Sequence, residues 1–396
     1  MAKPLRILYA IGPEDVIEAY NFWIKGEDTP SQVSMPFSSQ FYEACKSLDA
    51  KGYVIAEASQ PAIVRDERFI IECRPVPLKN ARGIFYHGRQ LLRGLQLLQV
   101  AISFQANVII ADSGTTYWFV LSLFSWLGIK VIPSLHCTLW RKYSGQTLGE
   151  KITLRLSRNL FKSGCHKIHV VSHDIAEQIA ELTGGIHQPV YKFLPTYRRS
   201  DFASIAPPAK ETSPFRVLFA GRVEYNKGVF DLLEIAASFA SSGIKDIIFD
   251  ICGAGSALEA LRQQAKQANL DDFFICHGYC NKPQMREMFG KSHAVIVPTR
   301  TDFIEGFNRV VSESILSGRP VITSAVCPAL FYVLDAVIEV PPNDVTAYAN
   351  AVLQLYNNPH IYEQKRLATL KLQDQFYNIN NSWGAMLKAS LLTIRE

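Results

Sequence analysis

The sequence predicts an α/β protein with two doubly wound domains, and three observations carry that prediction. A chain of 396 residues is too long for one ordinary hydrophobic core and fits two domains of about 200 residues each. Short apolar runs alternate with helical patterns through both halves, which is typical of a mostly parallel sheet covered on both faces. The proline-rich stretch from Tyr197 to Pro214, with Pro207-Pro208, interrupts this alternation and is the best candidate for a linker.

The first half begins with the strand-like run Leu5 to Ile11, which ends at Gly12-Pro13. Five further strands are predicted: Tyr53 to Ala56, Phe69 to Cys73, Val108 to Ala111, Lys130 to Ser134 and His169 to Ser172. Helical patterns cover Gln40 to Ala50, Gly88 to Phe104, Thr116 to Leu127 and Leu148 to Lys162. The aromatic-rich stretch Glu14 to Ser39 is either a ligand-contacting loop or a helix plus a surface loop packed by its own aromatics.

After the linker the alternation restarts. Six strands are predicted: Arg216 to Ala220, Asp246 to Ile251, Asp272 to Cys276, His293 to Val297, Val321 to Ser324 and Val337 to Val340. Helices are predicted at Val229 to Ala240, Ala257 to Ala268, Pro283 to Gly290, Thr346 to Tyr356 and Tyr362 to Gln375. A last helical segment, Ser382 to Ile394, carries an apolar stripe that includes Trp383.

Charge and cysteine content limit the classes of function. The net charge of +5 is spread along the chain, which argues against a nucleic-acid surface and leaves at most a weak preference for anionic ligands or lipid headgroups. Eight scattered cysteines indicate reduced, buried thiols, and Cys276 to Cys280 lacks a second pair at zinc spacing, so no metal is expected. The N-terminus does not resemble a signal peptide, and the longest apolar run, Tyr117 to Leu127, is shorter than the roughly 18 residues of a membrane span. We expect a cytoplasmic protein.

The stretch Pro298 to Pro320 has the strongest functional pattern. It follows a buried strand, and a helix starting near Gly306 places Glu305 just before its N-terminus and Glu313 about two turns later on the same face. The glycine lets a ligand approach the backbone, and the amides of Phe307, Asn308 and Arg309 form an anion site. This combination favours a polyol attached to a phosphate.

A second pattern lies at the end of the first strand of the second half, in Gly221 to Gly228. Arg222 and Lys227 there suit a diphosphate, because Arg offers a planar fork and Lys a mobile point charge. The turn is expected at the same sheet edge as Glu305. The glycines of Cys252 to Ser256 lack the spacing of a dinucleotide site, so they either let the backbone run near a ligand or merely turn tightly.

In the first half, His136 follows a strand and is either an acid or sugar-hydroxyl donor, or a loop histidine satisfied by its neighbours. Asp112 and Ser113, at the end of the preceding strand, are candidates for the acceptor side. His166, His169 and His173 show no metal-ligand spacing, and the chain has neither a hydrolase elbow nor a GxxxxGKS loop.

The motifs GRVEYNKG and EGFNRVVSESILSGRPVIT resemble those of the retaining, nucleotide-sugar-dependent glycosyltransferases of family 4, which have the GT-B fold. The resemblance is specific across Phe215 to Pro341 and architectural over the first half. It implies two Rossmann-like domains facing across a cleft, with a last helix that crosses back to the first. The implied division is 1–205, which also receives 376–396, and 206–375.

By position, the resemblance assigns roles to individual residues. Arg222 and Lys227, after Gly221, would bind the donor diphosphate and offset charge on the leaving nucleotide. Glu305 would contact sugar hydroxyls and Glu313 the ribose. Gly306, Phe307 and Asn308 would present backbone groups, and His136 matches a histidine directed at the donor sugar. No metal or cofactor is implied, since Arg, Lys and helix amides replace a divalent ion.

The resemblance implies transfer of a sugar from a nucleoside diphosphate to an unidentified acceptor with retained configuration. Lys192 to Phe202 departs from the family's usual Asn-Gly pattern, so a catalytically silent, sugar-nucleotide-binding partner of another transferase stays an alternative. A phosphorylase is a third alternative, although no pyridoxal lysine or phosphate pocket is evident. Weak contact with the inner face of a membrane is compatible with the charge.

Overall fold

A computed structural model describes residues 4–27, 29–30, 32–75, 81–206 and 214–395. The chain divides into two compact units, residues 1–139, 146–196 and 379–396 in the first and 140–145 and 197–378 in the second. Both units are parallel sheets with helices, so the predicted α/β class is confirmed. The main segment of the second unit begins at Tyr197, whereas the sequence suggested residue 206. Pro207-Pro208 of the predicted linker lies outside the described residues.

The first unit contains an eight-stranded sheet in the order β3-β4-β2-β1-β5-β6-β7-β8, in which β3 alone is antiparallel to its neighbour among the described strands. The strands are β1 Arg6–Ala10, β2 Lys51–Ala58, β3 Ala62–Arg65, β4 Phe69–Pro75, β5 Val108–Asp112, β6 Lys130–Leu135, β7 Ile168–Val170 and β8 Val190–Lys192. The sequence did not predict β3 or β8. Both are short and none of their residues is fully buried, so neither has the apolar run that marks a central strand.

Among the described residues, six helices connect these strands: α1 Val16–Lys25, α2 Phe37–Ser47, α3 Ile84–Ser103, α4 Ser122–Trp126, α5 Leu148–Asn159 and α6 His173–Thr183. From β1 the chain passes through α1 and α2 to β2, moving along the sheet in one direction. From β4 it passes through α3 to β5, through α4 to β6 and through α5 to β7, moving along the sheet in the other direction. Because parallel crossovers are right-handed, α1 and α2 cover one face of the sheet and α3, α4 and α5 cover the other.

The stretch Glu14 to Ser39 follows the second of its two expected forms, a helix plus a loop. Asp15 caps α1 by accepting a hydrogen bond from the amide of Glu18. The aromatic rings of the helix pack inward, with Trp23 5.4 Å from Tyr42 between ring centroids. The aromatics of this stretch therefore support the core of the first unit.

The second unit contains a six-stranded, all-parallel sheet in the order β11-β10-β9-β12-β13-β14. Its strands are β9 Phe215–Ala220, β10 Ile247–Cys252, β11 Phe274–Gly278, β12 Ala294–Val297, β13 Val321–Thr323 and β14 Val337–Glu339, each within two residues of its predicted position. Its helices are α7 Val229–Ser241, α8 Leu258–Gln267, α9 Lys282–Lys291, α10 Arg309–Leu316, α11 Leu330–Val333, α12 Val345–Asn357, α13 Pro359–Leu372 and α14 Asp374–Tyr377. The winding reverses between β9 and β12, and ligands bind at the carboxyl edge of such a switch point.

The last helix, α15 (Trp383–Arg395), belongs to the first unit and packs against α2, as expected from its apolar stripe. Trp383 is fully buried, and its ring stacks on Tyr9 with centroids 5.2 Å apart. The amide of Gly384 donates to the side-chain oxygen of Gln40 at 2.8 Å. None of the helices in the described ranges combines the length and apolar content needed to cross a bilayer.

Candidate functional site

Two turns meet at the switch point of the second unit. The β9–α7 turn (221–228) and the β12–α10 turn (298–308) follow neighbouring strands, and the amide of Arg300 donates to the carbonyl of Asn226 at 3.0 Å. Gly228 has φ +74°, and a Cβ there would lie 2.2 Å from the carbonyl oxygen of Pro298. A side chain at this position would push the turns apart.

Lys227 and Glu305 form an ion pair where these turns meet. Lys227 Nζ lies 2.6 Å from Glu305 Oε2, and the two side chains are only 11% and 12% exposed. Asn308 Nδ2 lies 3.5 Å from the same carboxylate oxygen. The sequence predicted Lys227 on the phosphate and Glu305 on the sugar; the structure places the two side chains in direct contact. Neither charge is left uncompensated in a partly desolvated position.

An aromatic ring joins the two cations predicted for the diphosphate. Lys227 Nζ lies 3.7 Å from the ring centroid of Phe303, and the guanidinium carbon of Arg222 lies 5.4 Å from it. Arg222 is 60% exposed and pairs with Glu224 at 3.1 Å. Sequence reasoning missed Phe303, although an aromatic residue two positions before Glu305 was a visible signal for cation–π packing.

Helix α10 begins at Arg309 with Asn308 as its N-cap, so the prediction of a start near Gly306 was wrong by three residues. The reason is Phe307, whose side chain is buried against Tyr332 and Phe376 at ring distances of 5.7 and 6.3 Å. Packing of this ring holds the backbone before the helix outside helical geometry. Phe307 and Asn308 therefore precede the helix, and its first amide is that of Arg309.

Glu313 lies one turn into α10, on the same face as Arg309. Burial raises the pKa of Glu313 to about 7, although the Arg309 charge and a contact with Tyr197 act in the opposite direction. The Tyr197 hydroxyl is 2.8 Å from Ser312 Oγ and 3.5 Å from Glu313 Oε1. The sequence placed Tyr197 in the linker, so its contact with this carboxyl was not predicted.

The glycines of Cys252 to Ser256 allow two backbone turns to pack together. A Cβ on Gly253 would lie 1.7 Å from the carbonyl oxygen of Gly221, and one on Gly255 would lie 2.2 Å from that of Val223. The amide of Val223 donates to the carbonyl of Ala254 at 3.0 Å. These glycines support the turn that carries Arg222, which is the tight-turn alternative of the two considered.

In the first unit, Asp112, Ser113 and His136 form one hydrogen-bonded group. His136 Nε2 lies 3.1 Å from Asp112 Oδ1, and the His136 amide donates to Ser113 Oγ at 3.0 Å. Asp112 is buried and also accepts from the Tyr9 hydroxyl at 3.0 Å. A carboxylate only accepts, so Nε2 carries the proton toward Asp112 and Nδ1 is the nitrogen left for another partner.

The last helix, α15, contacts the hydrogen-bonded group of Asp112, Ser113 and His136 through Ser134. Trp383 Nε1 donates to Ser134 Oγ at 2.9 Å, and the same oxygen lies 2.9 Å from His136 Nε2. The His136 ring also packs on Phe37, with centroids 4.5 Å apart. Its side chain is 19% exposed. His136 is therefore held in one orientation by contacts that its sequence neighbours do not reveal.

Three other histidines have structural partners. His169 Nε2 lies 2.8 Å from Ser390 Oγ and His166 Nε2 lies 3.0 Å from Thr393 Oγ1, so both contact α15. His277 lies 2.7 Å from Asp250, which also pairs with Arg216. Within the described ranges, no group of three or more His, Cys, Asp or Glu side chains converges as a metal site.

Comparison with known proteins finds a family match, similar sequences and similar folds. Residues 201–371 match the family described as "Glycosyl transferases group 1". The chain is 29% identical over 153 residues to 2-deoxystreptamine N-acetyl-D-glucosaminyltransferase of Niallia circulans, a match that spans 38% of each chain. Its fold is similar to that of sucrose-phosphate synthase from Thermosynechococcus elongatus, with a TM-score of 0.71, 15% identity and 98% of both chains covered. Anabaena HepE in complex with UDP gives a TM-score of 0.66 at 14% identity over 99% of both chains.

The family match lies within the second unit, and it contains Arg222, Lys227, Glu305 and Glu313. The solved structures match both units and show the fold. The chain therefore has the GT-B fold, and its residues 201–371 match the glycosyl transferases group 1 family.

Proposed function

We propose that this protein is a retaining glycosyltransferase that moves a sugar from a nucleoside diphosphate to an acceptor without a metal ion. The observation that carries the proposal is the Lys227–Glu305 pair at the switch point of the second unit, with Arg222 over the same Phe303 ring. Cations suited to a diphosphate and a carboxylate suited to sugar hydroxyls lie side by side there.

The two cations differ in a way that suits a diphosphate. Arg222 is exposed and can turn from Glu224 toward a phosphate, while Lys227 is held near Glu305. An ammonium has three donors, so Lys227 can keep Glu305 and still donate to a phosphate oxygen. Together they offset the negative charge that develops on the leaving nucleotide, the role a divalent ion has in other transferases.

Glu305 and Glu313 have separate tasks. Glu305 orients the hydroxyls of the transferred sugar, positioned by Lys227 and Asn308. Glu313 accepts from the ribose hydroxyls, and the burial that raises its pKa makes its ionised form costly, a cost that further donors would compensate. Two hydroxyl donors from a ribose would supply that compensation.

For the first unit we propose that His136 acts on the sugar through Nδ1, with Asp112 and Ser113 fixing its orientation. The UDP bound to HepE and the sugar transfer named for the Niallia circulans relative support a nucleotide-sugar donor here. The cysteines form no disulfide within the described residues, which supports a cytoplasmic location.

The test is release of nucleotide from a panel of UDP-, GDP- and ADP-sugars, with and without EDTA. We expect one donor to be consumed slowly by hydrolysis even without the acceptor, and Glu305→Gln to reduce that rate. Glu259→Gln, on the exposed side of α8, is the matched control and leaves it unchanged. Binding of a nucleotide without release of product would favour the silent-partner alternative. Loss of activity in EDTA would contradict metal independence. A product whose anomeric proton signal reports the inverted configuration would contradict retention.

A further inference from the structure

The helices on one face of the first unit expose large apolar side chains. On α3, Ile84 is 80% exposed, Leu92 and Leu95 are each 52% exposed, and Ile102 is 58% exposed. The side of a surface helix that faces solvent is normally polar. On α3 it carries an apolar row along most of the helix.

Helices α4 and α5 continue this pattern. Trp126, at the end of α4, is 79% exposed. On α5, Leu148, Ile152 and Leu156 are 74%, 51% and 54% exposed, at a spacing of four residues that aligns them on one side of the helix. We call the outer surface of α3, α4 and α5 the apolar–basic face.

The three helices lie on the same face of the sheet, because the crossovers that contain them all run in one direction. Each of them also contacts the short 3-10 turn Trp118–Leu121. The exposed side chains therefore belong to one surface rather than to three separate sites.

The same part of the chain concentrates positive charge. Residues 76–173 contain twelve Lys and Arg but only two acids, a net charge of +10 in a chain whose total is +5. Of the two acids, Asp112 is buried and Glu150 caps α5 through Thr147. Lys151 and Arg155 are exposed on α5 beside its apolar row. The outer surface of α3, α4 and α5 thus combines apolar side chains with cations, while the next helix on that sheet face, α6, carries Asp174, Glu177 and Glu181.

We propose that the apolar–basic face docks on an anionic lipid bilayer. Apolar rows flanked by Lys and Arg insert at the boundary between headgroups and acyl chains, and an exposed Trp is favoured at that depth. A second copy of this chain fits less well, because a symmetric dimer would bring the same cations into contact with each other. The proposal goes beyond sugar transfer and does not depend on the identity of donor or acceptor.

The test is flotation of the full-length protein with vesicles of phosphatidylcholine alone or of an equal mixture with phosphatidylglycerol. We expect binding to the anionic vesicles, little binding to phosphatidylcholine, and partial loss in high salt, which screens the cations. Binding of equal strength to both vesicles would overturn the charge argument, and binding to neither would overturn the proposal.

A double variant and its control test the contribution of the α5 cations to vesicle binding. Lys151→Glu with Arg155→Glu should weaken binding to anionic vesicles by roughly thirtyfold or more, about fivefold for each cation removed before the added repulsion. Lys245→Glu with Lys266→Glu, at exposed positions of the second unit, makes the same charge change and should have little effect. Equal loss in both pairs would show a non-specific charge effect and contradict the proposal.

Replacing the α5 row, with Leu148→Gln, Ile152→Gln and Leu156→Gln, should also reduce flotation, while release of nucleotide from the donor stays unchanged. All three side chains are more than half exposed, so the fold is expected to persist. If gel filtration instead shows a dimer that this variant abolishes, the face binds a second copy and the bilayer proposal is wrong.

Discussion

Replacing Glu313 with Gln should change how stability depends on pH. The carboxyl has a pKa of about 7 in the folded protein, raised by burial from an ordinary value of 4.5. A folded state with the higher pKa binds the proton more tightly, so this group stabilises the fold when protonated. That contribution is complete below pH 4.5 and is lost as pH rises toward 7.

The size of the effect follows from the shift in pKa. Each unit corresponds to about 1.4 kcal/mol, so the free energy of unfolding should fall by at most about 3 kcal/mol between pH 4.5 and pH 7 and stay level above. Gln carries no charge at any pH and fits the same space. The Glu313→Gln variant should therefore equal the wild type near pH 4.5 and exceed it at pH 8.

The measurement is urea unfolding of wild type and variant between pH 4.5 and pH 8, taking the difference at each pH so that other titrating groups cancel. Glu339→Gln, at an exposed glutamate on β14, is the control and should give a difference independent of pH. A difference between wild type and Glu313→Gln that stays constant across this range would refute the raised pKa.

Nucleotide affinity should depend on pH in the opposite direction from stability. If Glu313 accepts from ribose hydroxyls, its replacement removes hydrogen bonds to a charged group and weakens nucleotide binding by roughly tenfold to a hundredfold. In the wild type, affinity should rise as pH increases through 7, and in the variant that dependence should disappear. A variant that is more stable at pH 8 yet binds as tightly as the wild type would exclude Glu313 from the ribose site.

Two further substitutions test the framework of each unit. Gly228→Ala should lower the free energy of unfolding by more than Gly243→Ala. Both residues have positive φ, near +75°, but a Cβ on Gly243 meets nothing within 4 Å. Equal losses in urea unfolding would contradict the close approach of Gly228 to Pro298. Trp383→Phe should cost about 1–2 kcal/mol, because Ser134 loses its donor in a buried position, whereas Trp126→Phe at the surface should cost almost nothing. Equal melting temperatures for these two Trp variants would argue against the buried bond.

The fold was predictable because its central strands are continuous apolar runs. All six strands of the second sheet lie close to their predicted positions, since burial on both faces requires such runs. The edge strand β3 was missed because it is short and exposed. The start of α10 was misplaced because packing of Phe307, a tertiary contact, outweighs local helix preference.

The site was predictable in its residue types and less so in its contacts. Glycine spacing and strand order brought Lys227 and Glu305 to one sheet edge, but their direct pairing depends on side-chain geometry that a motif does not carry. Phe303 and Tyr197 both contact predicted site residues. Phe303 could have been found from its place two positions before Glu305, whereas Tyr197 lies far from Glu313 in sequence and carries no such signal. The support of His136 by Trp383 joins residues far apart in sequence, which no local pattern reveals.

The most direct test of the central claim is a thermal-shift panel of nucleoside diphosphates and their sugars. A ligand that binds only the folded protein stabilises it by mass action and so raises its melting temperature. The added stability is about 2.7 kcal/mol when the ligand is at a hundred times its dissociation constant. We predict that at least one nucleoside diphosphate stabilises the wild type and that Lys227→Met greatly reduces this shift, whereas Lys245→Met does not. A melting temperature that no nucleoside diphosphate or sugar nucleotide raises would contradict the account.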